Sequence, residues 1–238
     1  MQHMEHDVIC FARTQHGVIG RHQAFALGLS DRQLERRLQS ERLVYLARGV
    51  YALRSSQPSW DRLVMAAWVV SLERRYAAAL GMTTAAALYG LAGFTRGGTP
   101  ELVAPGGERH TNPFGTVMRR RDLEPGDVIR RHDGVAVTTP VRTVLDLAMA
   151  DARPGRAERI IDGATASGLV VIDELRHRFA AMAALGNPAR CTCGGSCTNE
   201  RPAEAVCRDS LRPSCAGPPV ADPPGQGAPA GWARVRPR

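Results

Sequence analysis

The fold is decided by the stretch Val18 to Leu53, which reads VIGRHQAFALGLSDRQLERRLQSERLVYLARGVYAL. Ser30 is followed three residues later by Gln33, which is the spacing of a capping box. In that motif each side chain bonds the other residue's backbone N–H at the start of a helix. Leu29 and Leu34 flank the same point at the spacing of a hydrophobic staple. Two independent signals therefore predict that a helix begins directly after Ser30.

The neighbouring sequence completes the pattern of a winged helix-turn-helix. A short helix is expected over residues 21–27, Gly28 provides a tight turn, and the capped helix runs over residues 31–40. A turn at Arg48-Gly49 then joins two short apolar runs into a hairpin, because glycine accepts the positive φ that such turns need. The N-terminal fifty residues are thus predicted to form three short helices followed by a two-stranded wing.

The outward face of the helix 31–40 is basic. At about 100° per residue, Leu34 and Leu38 define its buried face. Arginine and glutamine are the residue types that make bidentate contacts to guanine and adenine edges in the major groove. We therefore predict DNA binding, with base edges contacted by Arg32, Gln33 and Arg36. Phosphate contacts are expected mainly from Arg21, Arg37 and Arg48. The last candidate is Gln39, which lies on the same outward face of the helix.

Bulk composition supports a nucleic-acid partner only weakly. The net charge is +8 and the pI is about 9.8, but all 31 basic residues are Arg. Arginine has GC-rich codons and lysine does not, so this usage indicates a high-GC bacterial genome. The alternative interpretation of residues 21–54 is a structural element with a solvated Arg face. The conjunction of a Gly turn, a capped helix and a basic hairpin favours DNA binding over that alternative.

The chain divides into three predicted parts, and the fold class is α+β. A winged helix-turn-helix occupies residues 1–55, and a small mixed α/β domain occupies residues 59–185 after a Ser- and Pro-containing linker. The last part, residues 186–238, holds 9 Pro and 7 Gly and has no apolar periodicity. At that Pro and Gly content a disordered, low-complexity tail is expected.

A second motif lies in the middle of the chain, where Thr139-Pro140 predicts a helix start because proline at the first helical position loses no hydrogen bond. Arg142 and Asp146 then lie at i, i+4. A pair at that spacing on a helix surface contributes a few tenths of a kcal/mol. We interpret the motif as helix initiation with a supporting ion pair.

No arrangement of residues indicates catalysis, a metal site or a cofactor. Five of the six cysteines lie in the last 48 residues, without the paired C-x2-C spacing of zinc ribbons. The longest apolar run, residues 63–70, is far shorter than the roughly 18 to 20 residues that span a bilayer. The N-terminus does not have the pattern of a signal peptide. We therefore expect a cytoplasmic protein without a membrane partner.

Five stretches resemble the AbiEi-type antitoxins of type IV toxin–antitoxin systems, in the form common in actinobacteria. The resemblance covers about residues 5–180, roughly three quarters of the chain, and the matching stretches are Gly17–Ser30, Leu43–Leu53, Thr83–Leu91, Glu101–Gly106 and Gly134–Ala148. The resemblance implies a winged helix that represses its own operon by binding double-stranded operator repeats. It also implies a non-catalytic antitoxin domain and, as partner, a nucleotidyltransferase-like toxin encoded nearby.

Two alternatives remain open. Long members of this family often continue into a domain similar to very-short-patch-repair endonucleases, which the residues after Leu185 do not resemble. A frameshift or a truncated gene would explain that difference, and the chain would then be a relative of such an endonuclease with its catalytic domain missing. The other alternative is an interaction protein that neutralises a partner without touching DNA.

Overall fold

A computed structural model describes residues 2–106, 109–151, 153–184 and 233–234. Its N-terminal unit begins with one helix and ends in a hairpin, as a winged helix-turn-helix does. The elements in chain order are α1 (Gln2–Thr14), β1 (Val18–Gly20), α2 (Arg21–Ala26), α3 (Asp31–Gln39), β2 (Leu43–Ala47) and β3 (Val50–Leu53). The three strands form one antiparallel sheet in the order β1-β3-β2. The predicted winged helix is confirmed.

The strand β1 is a difference from the predicted two-stranded wing. It pairs with β3, with Val18 opposite Ala52. All three of its residues are buried, so it lacks the alternation of apolar and polar residues by which a half-buried strand is recognised. On the helical side of the sheet, Ile19 and Tyr51 join Leu34 and Ala24 in one apolar cluster.

The second unit is a mixed sheet with helices on both faces, as the α+β prediction requires. The elements are α4 (Trp60–Glu73), β4 (Ala79–Leu80), α5 (Met82–Tyr89), β5 (Glu101–Pro105), β6 (Thr116–Arg120), a 3-10 turn (Pro125–Asp127), β7 (Val128–Arg130), β8 (Ala136–Thr138), α6 (Pro140–Ala150), α7 (Arg156–Ala166), α8 (Ile172–Ala184) and β9 (Ala233–Arg234). The strand order is β6-β5-β4-β8-β7-β9, with parallel pairing between β5 and β6 and between β4 and β8.

The two faces of this sheet have separate cores. Leu102 and Val103 are successive residues of β5 and point to opposite faces, as side chains of a strand do. Leu102 packs with α4 in one cluster, and Val103 packs with residues of α5, α6, α7 and α8 in the other. The sheet is therefore covered by a single helix on one face and by a helical layer on the other.

Helix α4 is buried on all sides because it packs against both sheets. Every residue from Val64 to Ser71 is buried. The cluster that contains these residues includes Val18 and Val50 of the winged unit as well as Leu80 and Val137 of the second sheet. A helix that is apolar all round is stable only inside a core. Helix α4 is thus a shared wall between the two units.

The predicted disordered tail lies outside the described residues, apart from β9, which pairs antiparallel with β7. Among the helices of the described chain, none is both long and apolar enough to cross a membrane.

Arg142 is the place where the sequence interpretation of a surface ion pair is wrong. Its side chain is fully buried, as is that of Asp146. Nε and Nη2 donate to the two carboxylate oxygens of Asp146 at 3.0 Å each, and Nη1 donates to Asp127 at 3.2 Å and to the Asp122 carbonyl at 3.0 Å. Burial alone would lower the pKa of Arg142, but hydrogen bonds and charge from Asp146 and Asp122 outweigh it and raise that pKa.

The same network attaches α8 to the sheet. Arg178 of α8 donates from Nε and Nη2 to the two carboxylate oxygens of Asp127, at 2.7 and 2.5 Å, and from Nη2 to the Asp122 carbonyl at 2.9 Å. Arg120 of β6 lies 3.2 Å from Asp146. Three arginines and three aspartates therefore meet between β6, α6, α8 and the segment 122–127, and Glu124 lies 3.5 Å from Arg178 at the exposed side of the cluster.

Replacing Arg142 by Met should lower the free energy of unfolding by about 3 to 5 kcal/mol, because it leaves buried carboxylates without their partner. Arg176→Met is the matched control, since among the described residues Arg176 pairs with the exposed Asp173 alone, on the surface of α8. That control should cost no more than about 1 kcal/mol. Urea denaturation of both full-length variants measures the difference, and equal midpoints would contradict the role given to the network.

Candidate nucleic-acid interface

The start of α3 is fixed by the predicted capping box. Ser30 Oγ accepts a hydrogen bond from the Gln33 backbone N–H at 3.3 Å, and Gln33 Oε1 accepts one from the Ser30 N–H at 2.9 Å. Leu29 and Leu34 are both buried beside the cap. The capping prediction is confirmed, and its consequence is that α3 starts at a defined residue and has a defined rotation about its axis.

Three of the predicted contact residues project from the outer face of α3. Arg32, Arg36 and Gln39 are exposed, whereas Leu34 on the opposite face is 3% exposed. Within the described part of the chain, the guanidinium groups of Arg32 and Arg36 have no ion-pair or hydrogen-bond partner. These side chains can therefore bind a ligand without giving up an existing contact.

Three other candidates already bind within the protein. The Gln33 side-chain oxygen is the acceptor of the capping box. Arg37 donates from Nη1 to the Gln33 carbonyl at 2.9 Å. Arg21 donates to Asp31 at 2.5 Å and lies over the Phe25 ring at 5.1 Å from its centroid. These contacts hold the three side chains along the flanks of α2 and α3.

The seventh candidate, Arg48, is exposed at the tip of the hairpin. Gly49 follows it with φ +76°, so the turn needs glycine at this position. The Gly49 carbonyl accepts a hydrogen bond from the Arg21 backbone N–H at 2.8 Å. The wing tip is therefore held beside the start of α2, and Arg48 and Arg21 belong to one surface.

Tyr45 is a surface residue that the sequence interpretation missed. It is 60% exposed on β2 and contacts Tyr51 edge-on, with ring centroids 6.3 Å apart. The signal was available in the register of the hairpin, because Tyr45 pairs opposite Tyr51 and opposed residues share one face of a sheet. Tyr51 faces the helical core, so Tyr45 lies on the helix side of the wing.

The junction between the two units is a carboxylate at the start of α2. Glu73, at the end of α4, accepts a hydrogen bond from the His22 backbone N–H at 2.9 Å, and its other oxygen contacts His22 Nδ1 at 2.6 Å. The Glu73 side chain is only 6% exposed. An acidic group at a helix N-terminus satisfies free N–H donors and interacts favourably with the helix dipole. This contact holds the winged helix to α4.

Gly20 makes this close approach feasible. A Cβ at position 20 would meet Glu73 Oε1 well inside van der Waals contact and would lie 3.1 Å from a Val69 methyl group.

In the described residues, we find no group of His, Cys, Asp or Glu side chains that could hold a metal ion.

An exposed, capped basic helix beside a hairpin with an arginine at its tip is the arrangement of a winged-helix protein. A family model described as "Transcriptional regulator, AbiEi antitoxin" matches residues 7–54, and one described as "AbiEi antitoxin C-terminal domain" matches residues 76–183. Together they cover about two thirds of the chain. The chain belongs to the AbiEi antitoxin family, and it is an antitoxin-like transcriptional regulator.

A solved structure has the same fold. The chain is similar to the RV2827C protein from Mycobacterium tuberculosis, with a TM-score of 0.50 and 14% sequence identity over 90% of this chain and 83% of that chain. At this level of identity the similarity concerns the fold alone. A search of curated proteins returned no match.

Replacing Gly20 by Ala should destabilise the protein by about 1 to 3 kcal/mol, because the new methyl group displaces Glu73 from the start of α2. Gly163→Ala is the control: it lies inside α7 with nothing within 4 Å of the added Cβ, and it should stabilise by about 0.5 to 1 kcal/mol. Urea denaturation compares the two. If the clash with Glu73 is the cause, Gly20→Ala will cost clearly less in a Glu73→Ala background.

Proposed function

We propose that this protein is an antitoxin that represses transcription of its own operon by binding operator repeats through the winged helix-turn-helix. The observation that carries the proposal is the outer face of α3, where Arg32 and Arg36 are exposed and without protein partners in the described chain. Family membership supports the regulatory role. The residue contacts and the operator are our inference.

Docking of α3 in the major groove follows from how the helix is held. Leu34 attaches one face to the core, so the opposite face is turned outward. Arg32 and Arg36 are four residues apart and lie one turn from each other on that face. Each guanidinium can make two hydrogen bonds to the O6 and N7 atoms of a guanine. Gln39 extends the same row, whereas Gln33 keeps its oxygen in the capping box and has only its amide NH2 available for a base.

Phosphate contacts are assigned to the flanks of the helix and to the wing. Arg48 at the wing tip and Arg37 beside α3 can reach the DNA backbone on either side of the groove that α3 occupies. Arg21 contributes less net charge, because Asp31 is bound to it at 2.5 Å. Charge at these positions should strengthen binding to all sequences alike, since phosphate contacts carry no sequence information.

Replacing Arg36 by Ala should weaken binding to the operator by about 1 to 3 kcal/mol and relax the preference at one base position, as the loss of a bidentate contact does. Replacing Arg48 by Ala should weaken operator and scrambled DNA alike and reduce the salt slope by about one unit. Arg159→Ala on α7 is the control with the same charge change. Fluorescence anisotropy at several salt concentrations, with DNA from upstream of the operon, measures all three.

Both α3 and wing variants should remain folded, because the Arg36 and Arg48 side chains project into solvent. Circular dichroism and the urea midpoint check this directly. Unchanged operator affinity in both folded variants would disprove the assignment of this surface.

The second unit is assigned the antitoxin role toward a nucleotidyltransferase-like toxin encoded nearby. Its support is the family match over residues 76–183, which leaves out the winged helix. The two activities are thereby assigned to different parts of the chain. Helix α3 packs on the core of the winged unit through Leu34, whereas the helical layer around Val103 packs on a separate core.

Arg36→Ala combined with Arg48→Ala should abolish repression of the operon promoter yet still restore growth of cells that express the neighbouring toxin gene from an independent promoter. Wild-type protein is the reference for both readouts, and immunoblotting confirms equal protein levels. Loss of growth rescue at equal protein levels would show that neutralisation needs the DNA-binding face and would contradict the separation.

A further inference from the structure

A concave site lies on the winged unit, away from the wing tip. It is a cleft of about 440 Å³ between α1, the end of α3 and the open end of the hairpin. Three buried apolar residues, Val8, Leu43 and Leu53, form its floor together with the half-buried Ile9. A cleft of this size with an apolar floor is in the range of small-molecule sites.

Four arginines surround this apolar floor. Arg13, Arg37, Arg42 and Arg54 line the cleft, with Ser55 as the remaining polar residue, and its described lining contains no carboxylate. Arg37 and Arg42 already have contacts within the protein. Arg54 pairs with Glu41 at 3.6 Å, but both side chains are more than 60% exposed, and such a pair contributes little. Arg13 has no ion-pair or hydrogen-bond partner within the described chain. The cleft therefore combines a largely buried apolar floor with positive charge around it.

We infer that this cleft binds a small amphipathic anion: a carboxylate, sulfonate or phosphate head group on an apolar body of about ten carbons. The head group pairs with the arginines, since guanidinium groups form charge-assisted, often bidentate hydrogen bonds with such anions. The apolar body covers the floor formed by Val8, Leu43 and Leu53. Inorganic phosphate or a DNA backbone would use the charge alone and make no contact with the apolar floor.

The site is connected to the proposed reading helix through Arg37. This residue lines the cleft and also belongs to α3, where it donates to the Gln33 carbonyl. A bound anion neutralises positive charge beside α3 and competes with DNA phosphates for Arg37. This regulatory step rests on the proposed function, whereas binding of the anion to the protein alone does not.

Titration of the full chain with decanoate in an isothermal titration calorimeter tests the site without DNA. We expect one molecule bound per chain, an affinity that rises about fourfold for each added methylene from octanoate to dodecanoate, and a negative heat-capacity change. The combined variant Arg13→Gln and Arg54→Gln should bind at least about tenfold more weakly, as the loss of charge-assisted hydrogen bonds implies. Arg159→Gln removes a positive charge outside the cleft and is the control; it should bind as the wild type does.

The outcomes separate the sources of binding. Equal binding of decanol would show that the arginines take no part, and equal binding of inorganic phosphate would show a basic surface only. Either result, or unchanged affinity in the combined variant, overturns the inference. Decanoate should also weaken operator binding by the wild type more than by the combined variant. Failure of the titration leaves the Arg36→Ala result on DNA unaffected, so the two proposals fail independently.

Discussion

The structure depends on the burial of α4 between two sheets. Eight consecutive residues, 64–71, are out of contact with water, so this helix has no face that tolerates solvent. One side requires the winged sheet, through Val18 and Val50, and the other requires the second sheet, through Leu80 and Val137. Each buried aliphatic side chain of this kind contributes about 1.5 to 3 kcal/mol. The placement of the winged unit relative to the rest of the chain follows from this one constraint.

A second, polar device determines how the outer helices lie on the sheet. Apolar packing around Val103 would allow α6 and α8 some freedom to slide, because hydrophobic contacts are not directional. The contacts of Arg142 on α6 and of Arg178 on α8 with the same Asp127 carboxylate restrict this freedom, because hydrogen bonds are directional. Both arginines also bind the Asp122 carbonyl, which connects the helices to the loop before β7. The charged cluster thus adds geometric definition to a core that apolar residues hold together.

How much the sequence predicted depends on how local each signal is. The start of α3 was predictable because Ser30, Gln33, Leu29 and Leu34 lie within six residues and their spacing is specific to a helix start. The helix that begins at Pro140 was also predicted, because proline marks its first position. Strand β1 was missed, because three buried residues carry no periodicity.

Long-range features could not be read from the sequence. Arg142 and Asp146 have the spacing of a surface pair, and only the approach of Asp122 and Asp127 from elsewhere makes their site a buried one. Seven residues were predicted to face DNA, and their roles stay predictions. In the structure, the exposed side chains of Arg32, Arg36 and Gln39 differ from those candidates that already have protein partners. The sequence does not show such partners: the Asp31 carboxylate that binds Arg21 is ten residues away along the chain. The contact between Glu73 and His22 joins residues 51 positions apart and left no local trace.

The shared wall also has a consequence for dissecting the chain. Truncation after residue 55, where the sequence predicts a domain boundary, would remove α4 from the face of the three-stranded sheet that it covers. The fragment would then expose an apolar surface formed by Val18, Ala47 and Val50, and such a surface favours self-association. A minimal winged-helix fragment of this protein has to include α4 and must replace the second sheet with another apolar surface that packs on that helix.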